Sequence, residues 1–544
     1  MRAQHLCVAA MAALVATTSA LASVEINGNP TKNMTCTAGI CSPTAKSAVL
    51  NTTDLANMLA TGDVTVTTGN GAVTITVSGP FSWTSTHRLT LDANLNVSFR
   101  APVEVAGQGA VTIVTNDGGT GGDLIFFPGG KLDFWDTGSS LIINGRSHTL
   151  ANSLSQLADD FEQSRVSVAL VQDYDASRDI FNSSPIHTLD GTFEGLGHTI
   201  KDLTINFTGH DNCVGLIFVS TYRSTIRDIR LLNVKVSTTQ NDKWIGTIEG
   251  CGGAEIVNSS SQGTATGPAS SFIGGIAGTS DAIVNSSADV NVSAVSGSLD
   301  KYIPEAGGLI GFGSTIVNSH ATGSVTGRGL VGGLAGEVSY SVTNSYAAGP
   351  VTTGGGDAER PCARRRVKHT RSVAAGGLVG LMSGNVASSF ASGAVTGGQN
   401  AIVGGLSGED SPLNPSTIED SYSTGSVQGG AKACIGGLSG RAGAIRTSYA
   451  SGLVSGSAPR TAGGLLAVDD STGPKIQDYW DLDTSGISDP SQGAGNIPND
   501  PGITGLTDEQ MKSELPAGFD PKIWAHNSKI NNGYPYLIAN PPPQ

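Results

Sequence analysis

The chain has 544 residues, a formal net charge of −14 and 74 glycines, while charged residues make up only 14% and aromatics only 5%. This acidity argues against nucleic acid as the main partner, because phosphate binding needs a basic footprint. The low charge argues against a helix-rich compact enzyme, and the recurring apolar triplets argue against disorder, leaving a repetitive β architecture in which small residues fill tight turns.

Residues 1–22 read as a secretory signal peptide. Arg2 supplies the positive start, Leu6 to Ala16 the apolar stretch, and Ala20-Leu21-Ala22 the small-x-small pattern, which places the cut before Ser23. The apolar run is too short for a spanning helix, and no later run is long enough, so the expectation is an exported chain with no integral membrane anchor. Cys7 lies within the signal; Cys36, Cys41, Cys213, Cys251, Cys362 and Cys434 remain. An even number in an exported chain permits disulfides. Cys36 and Cys41 flank a short Thr-Ala-Gly-Ile turn and form the best pair; the pairing of the other four stays open.

Residues 23–75 read as a polar N-terminal β region. Residues 76–150 alternate Val, Ile, Thr and Leu between glycine-rich turns. Residues 151–243 hold a short helix and the start of a solenoid, with helical signal over 151–170 and Ser153 as N-cap. From 244 to 470 two phrases alternate. The first is apolar-Gly-Gly-Leu-small-Gly, as in Ile273–Gly278, Val331–Gly336, Val403–Gly408 and Ile435–Gly440. The second is Asn-Ser-x-Ala-x-Gly or a relative, as in Asn318–Gly323, Asn344–Gly349, Asp420–Gly425 and Thr447–Gly452. The period of roughly 25–33 residues lies in the solenoid range. Each unit offers three short β-prone pieces between Gly, Asn or Ser turns, and none can bury its apolar side without a stacked neighbour.

The fold class expected is therefore all-β: a right-handed parallel β-helix with a short N-terminal β region and an irregular C-terminal cap. Stacking would align Asn258, Asn285, Asn318 and Asn344 in an amide ladder, continued by Ser388, Asp420 and Thr447, with Asp478 assigned to the same register. Tyr346, Phe390, Tyr422 and Tyr449 would form an aromatic column. Residues 471–544 leave the repeat and are expected to cap the solenoid end against edge pairing.

These paired phrases resemble the GLUG motif of bacterial secreted and surface proteins of filamentous-haemagglutinin type, over about residues 190–470. The lead-in Gly191–Ile200, the ending Asn532–Leu537 and the upstream pieces Leu89–Asn94 and Leu141–Gly145 are similar to that family as well. The resemblance implies adhesion or binding at a cell surface and supplies no catalytic residues.

Catalytic patterns are missing from the sequence. There is no HExxH, no GxSxG at a strand-to-helix turn, and no paired cysteine spacing for zinc. The expectation is no catalysis, no cofactor and no bound metal, with weak calcium coordination near Asp481 and Asp483 as the one exception considered. The most distinctive local feature is a basic insertion between repeats, carrying Arg360, Arg364, Arg365, Arg366, Lys368 and Arg371 in an otherwise acidic chain. It is a candidate ligand-binding loop for acidic groups. The functional expectation is a secreted or cell-surface, adhesin-like solenoid that binds glycans or cell-surface components, with self-association possible. The rivals are a carbohydrate-active β-helix enzyme working on an acidic polysaccharide, which would need closely paired carboxylates, and a structural matrix protein.

Overall fold

The computed structural model describes residues 22–543, apart from positions 70, 118, 120, 164, 297–302, 357–361, 363–372, 412–413, 415 and 457–460. The chain divides between Leu150 and Ala151 into two compact units. Both are built from short parallel strands stacked in register, the parallel β-helix that the repeat requires.

In the first unit the stacking begins at once. Ser23–Asn27 pairs in parallel with Ser47–Asn51 and with Thr74–Val77, so the region expected to be a separate N-terminal part already forms rungs. Further rungs follow through Val97–Phe99 and Leu124–Phe126 on one face and Phe81–Trp83, Pro102–Val105 and Lys131–Phe134 on another. Alternation puts Val24, Ile26, Ile75 and Val77 inside, all fully buried. A helix over Thr52–Leu59, which the sequence reading missed, is started by Asn51, whose side chain accepts from the Thr53 and Asp54 amides. Its apolar side is short, Leu55 and Leu59, too brief to stand out by periodicity.

The second unit opens with a helix over Leu154–Phe161, capped by Ser153, which buries Leu154, Leu157 and Phe161. The helical signal extended to 170, but Val166–Leu170 is a strand that pairs in parallel with Gly191–Glu194. The β-branched residues there gain more from pleated stacking than from another helical turn. Each following coil has three faces. A glycine face of nine strands runs from Cys213–Val214 through Phe272–Gly274 and Leu330–Gly332 to Thr461–Gly463. Next comes an isoleucine face, where Ile256, Ile283, Ile316, Val342, Val386, Ile418 and Ile445 point inward, each at most 1% exposed. The last is an aromatic face, which includes Arg230–Thr238, Ser260–Pro268, Ser287–Ser296, Tyr346–Ala347 and Tyr422–Ser423.

The second glycine of each pair has no room for a side chain. A β-carbon at Gly308 would lie 2.1 Å from the Gly333 carbonyl oxygen one coil on. That close approach explains why the phrase repeats so faithfully.

The asparagine column has a different basis from the one expected. Asn258, Asn285, Asn318, Asn344, Ser388, Asp420 and Thr447 all sit at φ between 44° and 50°, at the corner between the isoleucine and aromatic faces. Asparagine recurs there because it tolerates the left-handed region better than other residues with side chains. The Asn318 amide does donate to the Asn285 side chain, at 3.1 Å. Asp478 is not in this register. Gln477 holds the turn, at φ 57°, and Asp478 lies one residue later.

That next position is occupied by a buried serine ladder. The amides of Ser259, Ser286, Ser319, Ser345, Ser389 and Ser421 donate to the hydroxyl oxygens of Ser286, Ser319, Ser345, Ser389, Ser421 and Ser448 on the following rungs, at 3.0–3.2 Å. From Ser259 to Ser448 each hydroxyl donates to the carbonyl two residues before it, at 2.7–2.9 Å. Asp478 ends the ladder: its two carboxyl oxygens accept from the amides of Ser448 and Ile476.

The C-terminal residues do more than cap the end. Asp478–Asp481 and Ile503–Leu506 add rungs. The chain then turns back through a helix over Asp508–Ser513 and a pairing of Trp524–Ala525 with Tyr536–Leu537 to lie along the aromatic face. The Asn540 side chain donates to the carbonyls of Ser345 and Ser388, so this strap reaches several rungs back from the end. Phe390, Tyr422 and Tyr449 of that face are fully buried against Met511, Phe519, Trp524, Tyr534 and Leu537, an apolar contact that holds the strap in place.

Removing one ladder hydroxyl leaves the amide of the preceding rung without its partner in a buried turn, while the carbonyl it donated to keeps its backbone donor. Ser345→Ala is expected to destabilise the second unit by about 1–3 kcal/mol, measurable by urea denaturation. Burial also raises the carboxyls of Glu249 and Asp410 to about 7 and that of Asp478 to about 8, from ordinary values of 4.5, 3.8 and 3.8. Because the folded state holds protons that the unfolded state has released, stability falls as pH rises from about 4 to about 8. Thermal unfolding at pH 5 and pH 8 should give the higher midpoint at pH 5, and Asp478→Asn should lessen the difference.

Candidate functional site

Parallel in-register stacking places one residue of every coil in line on the aromatic face. In order the line is Thr199, Arg230, Ser260, Ser287, His320, Tyr346, Phe390, Tyr422, Tyr449 and Tyr479. Five of these rings form a continuous stack. Centroid separations from His320 to Tyr449 are 4.7, 4.9, 4.9 and 5.1 Å, with interplanar angles of 2–5°. The spacing is close to the ~4.8 Å between strands, so the backbone sets the ring separation. His320 belongs to this stack, although the sequence reading began it at Tyr346; the signal was the alignment of Asn318-Ser319-His320 with Asn344-Ser345-Tyr346.

The two ends of the stack differ. Trp524 of the strap leans on Tyr422 and Tyr449 at 5.9 and 6.0 Å, Phe519 and Tyr534 also meet Tyr449, and the Trp524 indole N–H donates to Asp420. Pro535 accepts from the Tyr449 hydroxyl at 2.7 Å. At the other end one face of His320 is covered by Tyr346, while the next positions in line are only Ser287 and Ser260. Arg230 closes the far side, three rungs or ~14 Å from His320. The result is a slot of about 280 Å³ lined by Arg230, Ser260, Ser287 and His320 along its floor and by Leu232, Gln262, Asp289 and Thr322 along one edge.

The slot's polar groups are already arranged. Arg230 donates to the Gly197 carbonyl, Gln262 donates to Asp289 at 3.0 Å, and the Thr322 hydroxyl donates to the other oxygen of Asp289. Burial holds the His320 imidazole below its ordinary value, so it is a neutral ring at pH 7. An uncharged flat ring, two hydroxyls and a guanidinium in a groove suit a ring-shaped polar ligand. Asp289 is the single carboxylate in the lining, so the slot lacks the pair needed for acid–base hydrolysis.

The basic insertion at Arg360, Arg364, Arg365, Arg366, Lys368 and Arg371 lies outside the described residues. Cys362, between them, is bonded to Cys434 on the glycine face. The other bonded pairs are Cys36–Cys41 and Cys213–Cys251, which gives each of the six cysteines from Cys36 to Cys434 a partner. Asp481 is fully buried, and its carboxylate accepts from the Asp483 and Thr484 amides and the Tyr534 hydroxyl; Asp483 accepts from the Asp508 amide. Both are therefore committed to anchoring the strap. No helix among the described residues is long and apolar enough to cross a membrane.

No protein-family model matches the chain. Over 237 residues, 42% of its length, the chain is 29% identical to halomucin of Haloquadratum walsbyi, of which it spans only 2%. Among solved structures, it is similar to a Bacteroides ovatus chain described as a candidate immunoglobulin A1 protease, with 17% identity, a TM-score of 0.32, and coverage of 72% of this chain and 92% of that one.

The strap should contribute through its anchor. Trp524→Ala is expected to cost about 3–5 kcal/mol. Tyr422→Phe removes a buried hydroxyl that has no hydrogen-bond partner and should be neutral or stabilising by up to ~1 kcal/mol. Chemical denaturation of the two variants checks both signs.

Proposed function

We propose that the protein is an exported, adhesin-like solenoid that binds glycans on or around cell surfaces without catalysis, and that the slot beside His320 is where a sugar ring sits. The observation that carries this reading is the open face of His320 at the end of the stack. A pyranose ring has one apolar face that can lie on a flat ring, and hydroxyls at its rim that can meet Ser260, Ser287, Gln262 and Arg230. The parallel face extends this surface along successive rungs, which suits a chain of sugars more than a single small molecule.

Export is supported by the signal-like start and by the pairing of all six remaining cysteines, since disulfides persist in oxidising compartments. The GLUG-like repeats and the stretch similar to halomucin fit the same setting. The basic insertion would add a second, electrostatic contact with acidic glycans.

A glycan array probed with the purified protein tests the reading. His320→Ala should weaken retention roughly three- to tenfold, the value of one ring-stacking contact. Ser287→Phe should abolish it by extending the stack into the slot while leaving the thermal midpoint unchanged or higher. Retention of the same glycans by Ser287→Phe would remove the slot from the account, and no retention of any glycan by the native protein would remove the function.

A further inference from the structure

The last rungs bring together three side chains that neither the fold nor the slot explains. Lys475 lies at the start of the strand Lys475–Ile476, and its side chain is only 1% exposed. Its ammonium is in very close contact with a carboxylate oxygen of Asp469, itself 8% exposed, and also donates to the carbonyl oxygens of Gly443 and Gly473. Asp469 is fixed in place: its amide and carbonyl are held by the Asn496 side chain, and its carboxylate accepts from the Ser471 amide. Asp500, also buried, has Asp469 as a close electrostatic neighbour, and burial together with that neighbour raises its carboxyl. Asp478 also interacts electrostatically with Lys475, and Asp470 is adjacent in the chain.

An amine and a carboxyl group held together out of water, with a protonated acid beside them, are the reactants of an amide bond. We propose that Lys475 and Asp469 join as an intramolecular isopeptide, with Asp500 as the proton-transferring residue. Lys475 first passes a proton to the carboxyl pair, which leaves a neutral amine beside a protonated Asp469. Nζ attacks Cγ of Asp469 and forms the C–N bond. Asp500 then protonates the departing hydroxyl, which leaves as water, and recovers its proton from the nitrogen. The sum is one carboxylic acid and one amine converted to one amide and one water, with no oxidant, reductant or activated donor. Fixed approach of the two groups replaces the activation that such a reaction needs in solution. In keeping with this, burial and the neighbouring Asp469 raise the Asp500 carboxyl to about 6 from an ordinary 3.8, which keeps an acid available near neutral pH. The bond would close the turn between the strand ending at Asp469 and the strand beginning at Lys475, beside the last rungs, where a stack of strands has lost the support of a further coil.

Mass spectrometry of the reduced, denatured full chain tests the proposal. The expected result is a mass about 18 Da below that of its sequence, one water for one amide. Trypsin should fail to cut after Lys475, and fragment ions should link Asp469 to Lys475. A cyclised aspartate would give the same deficit but would hydrolyse in mild alkali and leave Lys475 cleavable; the isopeptide survives and does not. Lys475→Arg keeps the charge but cannot form the bond and should restore the full mass, with a circular-dichroism spectrum showing that it folds. Asp500→Asn should also restore it; a persistent deficit in that variant would overturn the role of Asp500. A native chain of full mass that is cut normally after Lys475 would overturn the linkage itself.

Discussion

Everything in the second unit depends on how its backbone turns the corner between the isoleucine and aromatic faces. The chain must leave one sheet and join the next within two residues, and it does so with one left-handed residue followed by one buried serine. The left-handed residue changes the direction of the chain, while the serine satisfies polar groups that the turn would otherwise strand away from water. The hydroxyl accepts from the rung before and donates within its own rung, so each corner is completed by its neighbour. This makes the stack cooperative at its corners as well as along its strands, because a coil in isolation would leave these groups unpaired.

In-register stacking has a second consequence. Any side chain placed just after the serine is repeated at the strand spacing, and that spacing is close to the contact distance of flat rings. Tyr346, Phe390, Tyr422 and Tyr449 therefore stack without further design, and the strap seals the surface they create. Where the same position holds serine, at Ser260 and Ser287, the line is interrupted and a slot remains. The covered length and the empty length are thus alternatives at a single structural position. The first serves stability and the second leaves a ring face accessible to a ligand.

The glycine face shows the other use of a repeat. There the backbone of one coil rests against the carbonyl of the next, and side chains are excluded at the second glycine of each pair. One disulfide reinforces two adjacent coils that already pair through their backbones, Cys213 to Cys251, and the other ties Cys362, between the arginines of the basic insertion, to Cys434 on the glycine face. Sequence distance did not reveal these pairings, because the number of residues between two cysteines says nothing about which coils they occupy.

The sequence by itself determined the repeat, the all-β fold and the aromatic column, since a solenoid converts periodicity along the chain directly into neighbours in space. It also carried the positions of the left-handed corner, although asparagine was read there for its amide and not for its backbone. Shorter signals were less legible: the helix at Thr52–Leu59 has only two apolar residues on its buried side, and Asp478 was misplaced by one residue because Gln477 gives no sign of a turn. Tertiary structure alone decided what lies outside the repeat. The strap pairs Asn540 with Ser345 and Ser388, Asp500 meets Asp469, and His320 has one free face. Such contacts join residues with no common period, and only the folded path of the chain brings them together.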